Sequence, residues 1–573
     1  MKRCPECRRD YYDDTLLYCL DDGNALLDGP ASIEEPPTAI LSEPVAIGDR
    51  SRGDEAATRP LIHTTAAEGG PRTEPGLVNK DRKLFSVGRR KVMIGSAVAV
   101  ILVLGGFYGY RFFASSGQIS SVAVLPFENR SGNSDTDYLS DGLAESLIYR
   151  LSQLPGLKVS PTNAVLKYKG QDNLTQIARE LDVDAVMSGR LTQRGDDLTI
   201  SVELTDARTQ KLIWAEQYDR RMSDLLATQR EIAAAVTQKL QLKLSGSETG
   251  LTKQYTTNNE AYQLYLKGRF YWNKRTADGL RTAIEQFKAA SEKDPNFALA
   301  YVGLADSHLV GLYSTRGKDN EAIGLAKAYA ARALEIDPSL AEAHATLGLT
   351  NTLLMNWPEA EKQLTRAIEL NPKYASARHW YSRLLRPLGR YDEALIQIQE
   401  AQRLDGLSGA IINNVAECFF EKGNYQAAIE ESRRGIEIAP QWTHYRTLSY
   451  SHLRLDQKDD ALANAKKTAE FLDGSPVTRK VLGYVHAMIG NRGEAVAIVK
   501  EIENGYAKGE ADGRDVATVY AGLGDHDKVF EWLDKDFRTR NASLAELRNE
   551  IPFMPLRGDP RFKDLVKRLG LPD

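Results

Sequence analysis

The stretch that decides the fold spans residues 341–374 and reads AEAHATLGLTNTLLMNWPEAEKQLTRAIELNPKY. It contains two runs with apolar and small residues at helical spacing, and a proline turn closes it. Turn residues recur 34 positions apart along this part of the chain, at Pro338, Pro372, Gly406, Pro440 and Gly474. Four equal intervals are hard to obtain by chance, so the period predicts a series of helix pairs.

Small residues lie inside the unit where its two helices must approach closely, and they include Gly348, Ala360 and Ala367. A 34-residue period with small residues inside is typical of tetratricopeptide repeats. We expect about seven such repeats over residues 258–573, with a C-terminal cap. Stacks of this kind bind peptides or partner domains on a concave face.

Four side chains in two adjacent repeats are predicted to face that groove: His379, Arg383, Asn413 and Glu417. The assignment follows the repeat register, which places one side of each first helix toward the concave face. The alternative is that these side chains only solvate the surface. The expected partners are proteins or peptides, and no small-molecule substrate is identified.

A different pattern fills residues 119–247, where strand and helix periods alternate. In the clearest strand, apolar residues alternate strictly with polar ones, as one buried and one solvated face require. The apolar positions of that strand are Leu198, Ile200, Val202 and Leu204. This pattern predicts an α/β domain ahead of the repeats.

Residues 120–245 hold, in order, the blocks SVAVLPFENRSGN, IARELDVDAVMSGRL and LTISVELTDARTQKLIWAEQYDR. In these blocks the segment resembles the TolB amino-terminal-like (FlgO-like) domain of bacteria. The resemblance implies a domain that commonly joins a membrane segment to tetratricopeptide repeats, and it implies no catalytic role. The ending GDPRFKDLVKRLGLP resembles the usual C-terminus of such repeat proteins.

An uncharged run of 19 residues, VMIGSAVAVILVLGGFYGY, lies between Lys91 and Arg111. About 20 apolar residues span a hydrocarbon core, so we predict one transmembrane helix over residues 91–113. Basic residues concentrate before this run, which places the N-terminus in the cytoplasm by the positive-inside rule. We therefore expect a single-pass protein of the bacterial inner membrane, with periplasmic or extracellular C-terminal domains.

Residues 28–90, rich in proline and poor in aromatic residues, predict a disordered linker with a basic juxtamembrane end.

The first 27 residues contain a cluster of potential metal ligands. Cys4 and Cys7 are separated by two residues, Cys19 supplies a third sulfur, and Asp22 stands where a fourth ligand is needed. The segment resembles short bacterial zinc-ribbon heads, although these ordinarily have cysteine at the position of Asp22. We expect one structural zinc ion. A metal-free or redox-sensing thiol cluster is the alternative.

Several classes of function find no support in the chain. A net charge of −4 provides no general attraction for nucleic acid. Residues 118–248 contain no histidine and no cysteine, which excludes Ser-His-Asp and Cys-His catalysis in that segment. No phosphate-binding loop or kinase signature occurs.

The fold class predicted from these patterns is therefore multidomain. It comprises a small zinc-ribbon-like head at residues 1–27, one transmembrane helix, the α/β domain and an all-α tetratricopeptide solenoid. The predicted function is a non-enzymatic, membrane-anchored scaffold or sensor. One alternative is a transmembrane signalling protein whose head acts on a kinase or transcription factor. The other alternative is an unrecognised enzyme in the TolB-like domain.

Overall fold

The computed structural model describes residues 2–3, 10–11, 27–28, 119–154, 156–240, 253–274, 276–310, 319–471 and 476–572. The predicted transmembrane helix at 91–113, the linker up to residue 90 and the expected zinc ligands Cys4, Cys7, Cys19 and Asp22 lie outside the described residues. The described residues comprise a short N-terminal sheet and the region from Ile119 onward.

The N-terminal sheet contains three two-residue strands, β1 (Lys2–Arg3), β2 (Asp10–Tyr11) and β3 (Leu27–Asp28). Strand β1 lies in the centre and pairs antiparallel with both neighbours. Lys2 is opposite Tyr11 on one side and Asp28 on the other. The pairing brings the two ends of the segment Lys2–Asp28 together.

The α/β domain contains a six-stranded sheet in the order β6-β4-β7-β8-β9, with β5 paired to β7. Strands β4 and β6 and strands β4 and β7 are parallel, whereas β7, β8 and β9 form an antiparallel meander. The strands are β4 (Ser121–Val124), β5 (Glu128–Asn129), β6 (Lys158–Val159), β7 (Ala185–Arg194), β8 (Asp197–Asp206) and β9 (Leu212–Arg221).

Strand β4 is buried along its whole length, whereas β8 in the antiparallel part of the sheet has one buried and one partly solvated face. Along β8, Leu198, Ile200, Val202 and Leu204 are buried, and the intervening residues are partly solvated. This strict alternation is what a sheet with a single packed face requires. The helices of the domain are α1 (Asp137–Ser152), α2 (Thr162–Leu166), α3 (Leu174–Leu181) and α4 (Leu225–Lys239).

The region from Asn259 to Arg538 is helical and, in its described residues, forms eight consecutive helix pairs. Each helix packs against the next along the chain. The pairs are α5 (Asn259–Asn273) and α6 (Ala277–Lys293), α7 (Ala298–Val310) and α8 (Asp319–Ile336), α9 (Ala341–Leu353) and α10 (Trp357–Leu370), α11 (Ala375–Leu385) and α12 (Tyr391–Leu404), α13 (Gly409–Glu421) and α14 (Tyr425–Ile438), α15 (Trp442–Arg454) and α16 (Lys458–Phe471), α17 (Pro476–Ile489) and α18 (Arg492–Ala507), and α19 (Gly513–Leu523) and α20 (His526–Arg538).

Close approach within a pair depends on glycine and alanine. A Cβ atom added at Gly348 of α9 would lie 2.5 Å from Cγ of Leu364 on α10. Ala360 and Ala367 on α10 are fully buried. Since larger side chains would force these helices apart, the small residues of the repeat set the spacing of the pair.

The turn inside each later pair contains one residue with a left-handed backbone. Gly389 and Gly423, 34 positions apart, have φ values of +77° and +78°. Equivalent turns place Met355 and Asp456 in the same region, with φ values of +60° and +56°. The repeated conformation explains why glycine is frequent at this position, because residues with a Cβ atom are strained there.

The chain continues past the last pair into an irregular segment. Two 3₁₀ helices, Ala542–Asn549 and Ile551–Gly558, precede α21 (Pro560–Arg568). We call residues 542–558 the C-terminal segment. Leu544, Leu547 and Phe553 of this segment are fully buried in the same apolar cluster as residues of α11. The segment therefore folds back onto earlier repeats.

The fold class predicted from the sequence is wrong in one component. The observed architecture is a small α/β domain followed by an all-helical repeat region, and no helix in the described residues is long and apolar enough to cross a membrane. This finding does not support the transmembrane helix predicted over residues 91–113. The predicted inner-membrane localisation depended on that helix, so it is wrong for the same reason.

Candidate peptide-binding groove

The structure brings the four predicted groove residues into one region. His379 and Arg383 lie one turn apart on α11, and Asn413 and Glu417 lie one turn apart on α13. Asn413 donates from Nδ2 to Oε1 of Glu417 at 3.0 Å. These side chains lie next to one another because residues 34 apart occupy equivalent positions in adjacent repeats.

The same register continues into the next repeat. Thr447 of α15, which is 34 residues after Asn413, donates from Oγ1 to Oδ1 of Asn413 at 3.1 Å.

Burial, together with the nearby Arg383 guanidinium, lowers the pKa of His379 to about 3. His379 is therefore a neutral, half-buried side chain at neutral pH.

A buried charge network lies beside these residues. Arg386 donates from Nη1 to Glu417 at 2.7 Å and from Nη2 to Glu421 at 2.7 Å. Arg446 forms a further ion pair with Glu417. The side chains of Arg386 and Glu421 are only 6% and 1% exposed. Such a network rigidifies the packing of α11, α13 and α15, because a buried charge without its partner is costly.

The two carboxylates in this network have different environments. Burial raises the pKa of Glu421, even though Arg386 opposes the shift. Burial also acts on Glu417, but Arg386 and Arg446 outweigh it and hold the pKa of Glu417 below its usual value. Glu417, with two guanidinium partners, is therefore the ionised centre of the network.

The C-terminal segment contributes a carboxylate to this region. Glu546 accepts hydrogen bonds from Nε and Nη2 of Arg383, at 3.0 and 2.5 Å. Burial tends to raise the pKa of Glu546, but Arg383 and Arg386 outweigh it and lower the pKa to about 2. The segment is thus bound through an ionised side chain.

A second ion pair binds the segment further along. Arg514, at the start of α19, contacts Glu550 at 2.9 Å and donates from Nη1 to the backbone oxygen of Ser543 at 3.0 Å. Glu546 and Glu550 are four residues apart. Their arginine partners come from two different repeats, so the segment crosses several first helices. We define the groove face as Arg383, Arg386, Asn413, Glu417, Arg446 and Arg514.

Apolar contacts and further hydrogen bonds accompany the ion pairs. Ile551 and Met554 pack against the cluster that contains Tyr450 and Tyr484. Arg557 donates from Nη2 to the Tyr391 hydroxyl at 3.0 Å. The repeats therefore bind the C-terminal segment through charged contacts at the groove face and through apolar contacts beside it.

A separate polar cluster joins the α/β domain to the first repeats. Glu145 of α1 accepts hydrogen bonds from Arg269 at 2.6 Å and Asn273 at 2.9 Å. Tyr149 donates to Oε2 of Glu342, on α9, at 3.3 Å. Burial, with smaller contributions from nearby carboxylates, raises the pKa of Glu342 to about 7. The interface therefore contains a carboxyl group that titrates near neutral pH.

Sequence reasoning identified only part of the groove face. It missed Arg386, Arg446 and Arg514. It also missed Glu421, which pairs with Arg386, and Glu546, which pairs with Arg383. Arg386 lies one turn beyond Arg383, and Glu421 lies one turn beyond Glu417, so extending the helical register by one turn would have found this pair. The sequence contains no comparable signal for Glu546, because it lies after the last repeat.

Metal-ligating and thiol groups do not form a site in the part of the chain that the structure describes. In those residues no group of three or more His, Cys, Asp or Glu side chains is arranged to hold a metal ion. Cys418 is buried, and burial raises the pKa of its thiol to about 12. The thiol is therefore protonated and serves as a packing group.

Three stretches of the chain match models of protein families. Residues 118–235 match the HilA/YgeH-like transcriptional regulator, second domain. Residues 355–408 and 410–441 each match a tetratricopeptide repeat model. The tetratricopeptide repeats predicted from the 34-residue period are thus confirmed. The TolB amino-terminal-like resemblance is not shown, since the matching family over this domain is the HilA/YgeH-like one.

Curated proteins resemble this chain over part of their length. A Rhizobium meliloti (strain 1021) protein named adenylate cyclase 3 is 31% identical over 248 residues, which are 42% of this chain and 42% of the relative. The transcriptional regulator HilA of Salmonella typhimurium is 25% identical over 296 residues, or 50% of this chain and 51% of the relative. The chain spans about half or less of the length of these relatives.

Solved structures of repeat proteins align with a shorter part of the chain. The pilF protein of Pseudomonas aeruginosa aligns with 37% of this chain and 92% of its own, at 19% identity and a TM-score of 0.31. A tetratricopeptide repeat protein from Parabacteroides merdae aligns with 46% of this chain and 100% of its own, at 16% identity and a TM-score of 0.35. At these TM-scores the alignments imply no shared function.

Proposed function

We propose that this protein is a non-enzymatic protein-interaction scaffold whose groove face binds a peptide segment of a partner protein. One observation carries the proposal. The groove face receives an irregular segment of polypeptide, residues 542–558, through Arg383 and Arg514. A surface that binds an irregular segment by side-chain contacts has the chemistry needed to bind a peptide from another protein.

The arginines favour carboxylate-bearing peptides. A guanidinium donates in a fixed planar fork that matches a carboxylate, which Lys cannot reproduce. Arg383 is 28% exposed, so its charge is partly desolvated but still accessible from the surface. A charge-assisted hydrogen bond in this setting is stronger than one between neutral groups. We therefore expect the preferred peptides to contain acidic residues.

The proposal assigns no catalytic role to the α/β domain. Its support is the absence of histidine and cysteine from residues 118–248 in the sequence. The name of the Rhizobium meliloti relative belongs to that protein, and the similarity extends over 42% of it. In this proposal the α/β domain supports the first repeats through Glu145 and Tyr149.

A peptide library provides the test. The full chain is immobilised and challenged with random peptides displayed on phage, alongside the variants Arg383→Glu and Arg403→Glu. Arg403 is the matched control because it lies on α12, is 64% exposed and pairs only locally with Glu400. We expect peptides enriched in Asp and Glu on the wild type and on the Arg403 variant, with loss of those peptides on the Arg383 variant.

The opposite outcome is equally clear. If the same peptides are enriched on all three proteins, the peptides do not depend on the groove face and the proposed function is wrong. Circular dichroism of each variant shows whether the repeats remain folded. A folded Arg383 variant that retains the acidic peptides excludes the groove face as their binding site.

A role in transcriptional regulation through protein contacts is a second candidate. The observation that favours it is the match of residues 118–235 to the HilA/YgeH-like family. A bacterial two-hybrid screen of the full chain against the RNA polymerase subunits tests it. An interaction that is lost when a surface residue of the α/β domain such as Gln217 is replaced by Arg supports this role, whereas no interaction with any subunit contradicts it.

A further inference from the structure

We infer that the C-terminal segment is a built-in ligand of the groove face, and that the partner is an acidic, apolar peptide that must displace it. The inference rests on the proposed function, because it concerns the same surface. It adds the chemistry of the partner and the state of the surface before the partner binds. Four features of the structure support it.

The first feature is charge complementarity. Two carboxylates of the segment, Glu546 and Glu550, each meet an arginine of the repeats, Arg383 and Arg514. The partners of the segment therefore come from α11 and α19, which are distant in the sequence. A ligand that spans both helices needs two negative charges at a similar separation.

The second feature is the apolar surface that the segment covers. Leu544, Leu547 and Phe553 are fully buried, and Leu556 is nearly so. If the segment left without a replacement, these side chains and their counterparts on the repeats would face water, which is unfavourable. The open state therefore needs a ligand that covers the same surface, so the displacing peptide must carry apolar residues beside its acids.

The third feature is the irregular structure of the segment. It consists of two 3₁₀ helices and contains Pro552 and Pro555. Hydrogen bonds in 3₁₀ helices have poorer geometry than those in α-helices. Detaching and unfolding the segment therefore breaks fewer well-aligned backbone hydrogen bonds than unwinding an α-helix of the same length would.

The fourth feature is that both ends of the segment are anchored independently. The preceding helix α20 belongs to the last helix pair. The following helix α21 is bound to α20 by Arg561–Asp527 at 2.7 Å and Arg568–Asp534 at 3.1 Å. Trp357 also donates from Nε1 to the backbone oxygen of Leu569 at 2.9 Å. The segment is therefore a strap between two fixed helices.

The length of the strap permits displacement. Residues 539–559 connect α20 to α21. A chain of this length can extend to roughly 70 Å, at about 3.3 Å per residue. The segment can therefore leave the groove face while α20 and α21 remain in place.

Tethering makes the segment a strong competitor. A ligand held by a short linker acts at an effective concentration in the millimolar range. A separate peptide must therefore bind better than the segment, or bind when the segment is weakened. This consequence can be measured directly, because weakening the segment should strengthen binding of the same sequence supplied as a free peptide.

The experiment uses the full chain and one probe, a fluorescein-labelled synthetic peptide of residues 541–558, NASLAELRNEIPFMPLRG. Its binding is measured by fluorescence anisotropy to three proteins. These are the wild type, the release variant Glu546→Lys/Glu550→Lys, and the control variant Glu430→Lys/Glu437→Lys. The control changes the net charge equally at two exposed positions of α14.

We expect the release variant to bind the peptide at least about ten-fold more tightly than the wild type, because its own segment competes less well. The control variant should resemble the wild type. A peptide with Gln in place of both glutamates should bind the release variant at least about ten-fold more weakly than the native peptide, since charge-assisted hydrogen bonds are lost.

Three results would overturn the inference. One is equal binding of the peptide to all three proteins. Another is absence of binding to a folded release variant. The third is a dimer of the wild type, detected by light scattering without peptide, that the release variant does not form, which would mean that the segment binds a second copy of the chain.

A second measurement covers the case in which the release variant does not fold. Hydrogen exchange is followed by mass spectrometry on the wild type, with and without excess unlabelled peptide. We expect exchange in residues 542–558 to rise while exchange in α11 and α13 stays low. Unchanged exchange in the segment at saturating peptide contradicts displacement. The peptide-library experiment separates this failure from failure of the proposed function, since acidic peptides lost on the Arg383 variant would still support groove binding.

Discussion

Arg383 and Glu546 are 163 residues apart in the sequence, yet Nε of the arginine lies 3.0 Å from Oε1 of the glutamate. The contact joins the fourth helix pair to a segment that follows the eighth. It means that the first helices do not present an empty groove face, because the chain itself covers part of that face.

Replacing Arg383 by Ala should destabilise the fold by about 1 to 2 kcal/mol at pH 7. The estimate is kept below that for a fully buried pair, because the two side chains are 28% and 33% exposed. Urea denaturation followed by circular dichroism measures the change. Arg403→Ala is the control, and its free energy of unfolding should stay within about 0.5 kcal/mol of the wild type.

The pH dependence of this loss has a definite sign. The pKa of Glu546 is lowered in the folded state to about 2, so its contribution is present above its ordinary pKa of 4.5 and is lost as the pH falls toward 2. The difference between wild type and Arg383→Ala should therefore shrink between pH 5 and about pH 3. A constant difference over this range would show that the ion pair is not its cause.

Replacing Asp456 by Gly should stabilise the protein by about 0.5 to 1 kcal/mol. Asp456 has a φ of +56°, and its side chain is 88% exposed, so glycine relieves backbone strain and sacrifices little packing. Thermal unfolding measures the effect. Asp459→Gly is the matched control because Asp459 lies in the first turn of α16, where the backbone is helical and glycine should destabilise. Equal shifts in both variants would exclude the backbone explanation.

The features of the structure that could be predicted are those that leave a regular pattern of residues along the sequence. A 34-residue period records which residues occupy equivalent positions, so His379 and Asn413 could be placed together before the structure was known. The alternating pattern of β8 likewise specifies one buried face. Both signals arise from periodic backbone geometry, which the sequence reports directly.

The features that could not be predicted from the sequence depend on contacts between segments that are far apart in the chain. No period relates Glu546 to Arg383, since the C-terminal segment follows the last repeat. The burial of Arg386 results from the packing of three helices and is not visible in its neighbours along the chain. The transmembrane prediction followed from the length and composition of a single apolar run. Composition alone does not determine how such a run folds.

The zinc ion expected at the N-terminal head stays a prediction, because its ligands lie outside the described residues. We expect the purified chain to contain about one zinc ion per molecule by plasma mass spectrometry, and Cys4→Ser to lose it, since a tetrahedral structural site needs its full ligand set. Asp22→Asn tests the fourth ligand and should weaken binding. Equal zinc content in the wild type and in a variant lacking Cys4, Cys7 and Cys19 would exclude the site.

Replacing Glu342 by Gln should stabilise the protein above neutral pH and have little effect at pH 4.5. Burial raises the pKa of this carboxyl group from 4.5 to about 7, so the folded state binds more protons than the unfolded state between these values. The free energy of unfolding of the wild type therefore falls as the pH rises through this window, by on the order of 2 to 3 kcal/mol in total. Glutamine cannot ionise, so the variant should lose this part of the pH dependence while retaining an amide group beside Tyr149.

The measurement is urea denaturation at pH 4.5, 6 and 8, with Glu369→Gln as the control because Glu369 is 65% exposed. Parallel curves for wild type and Glu342→Gln would show that Glu342 ionises normally, and the α/β domain would then rest on the repeats without a buried neutral carboxyl group.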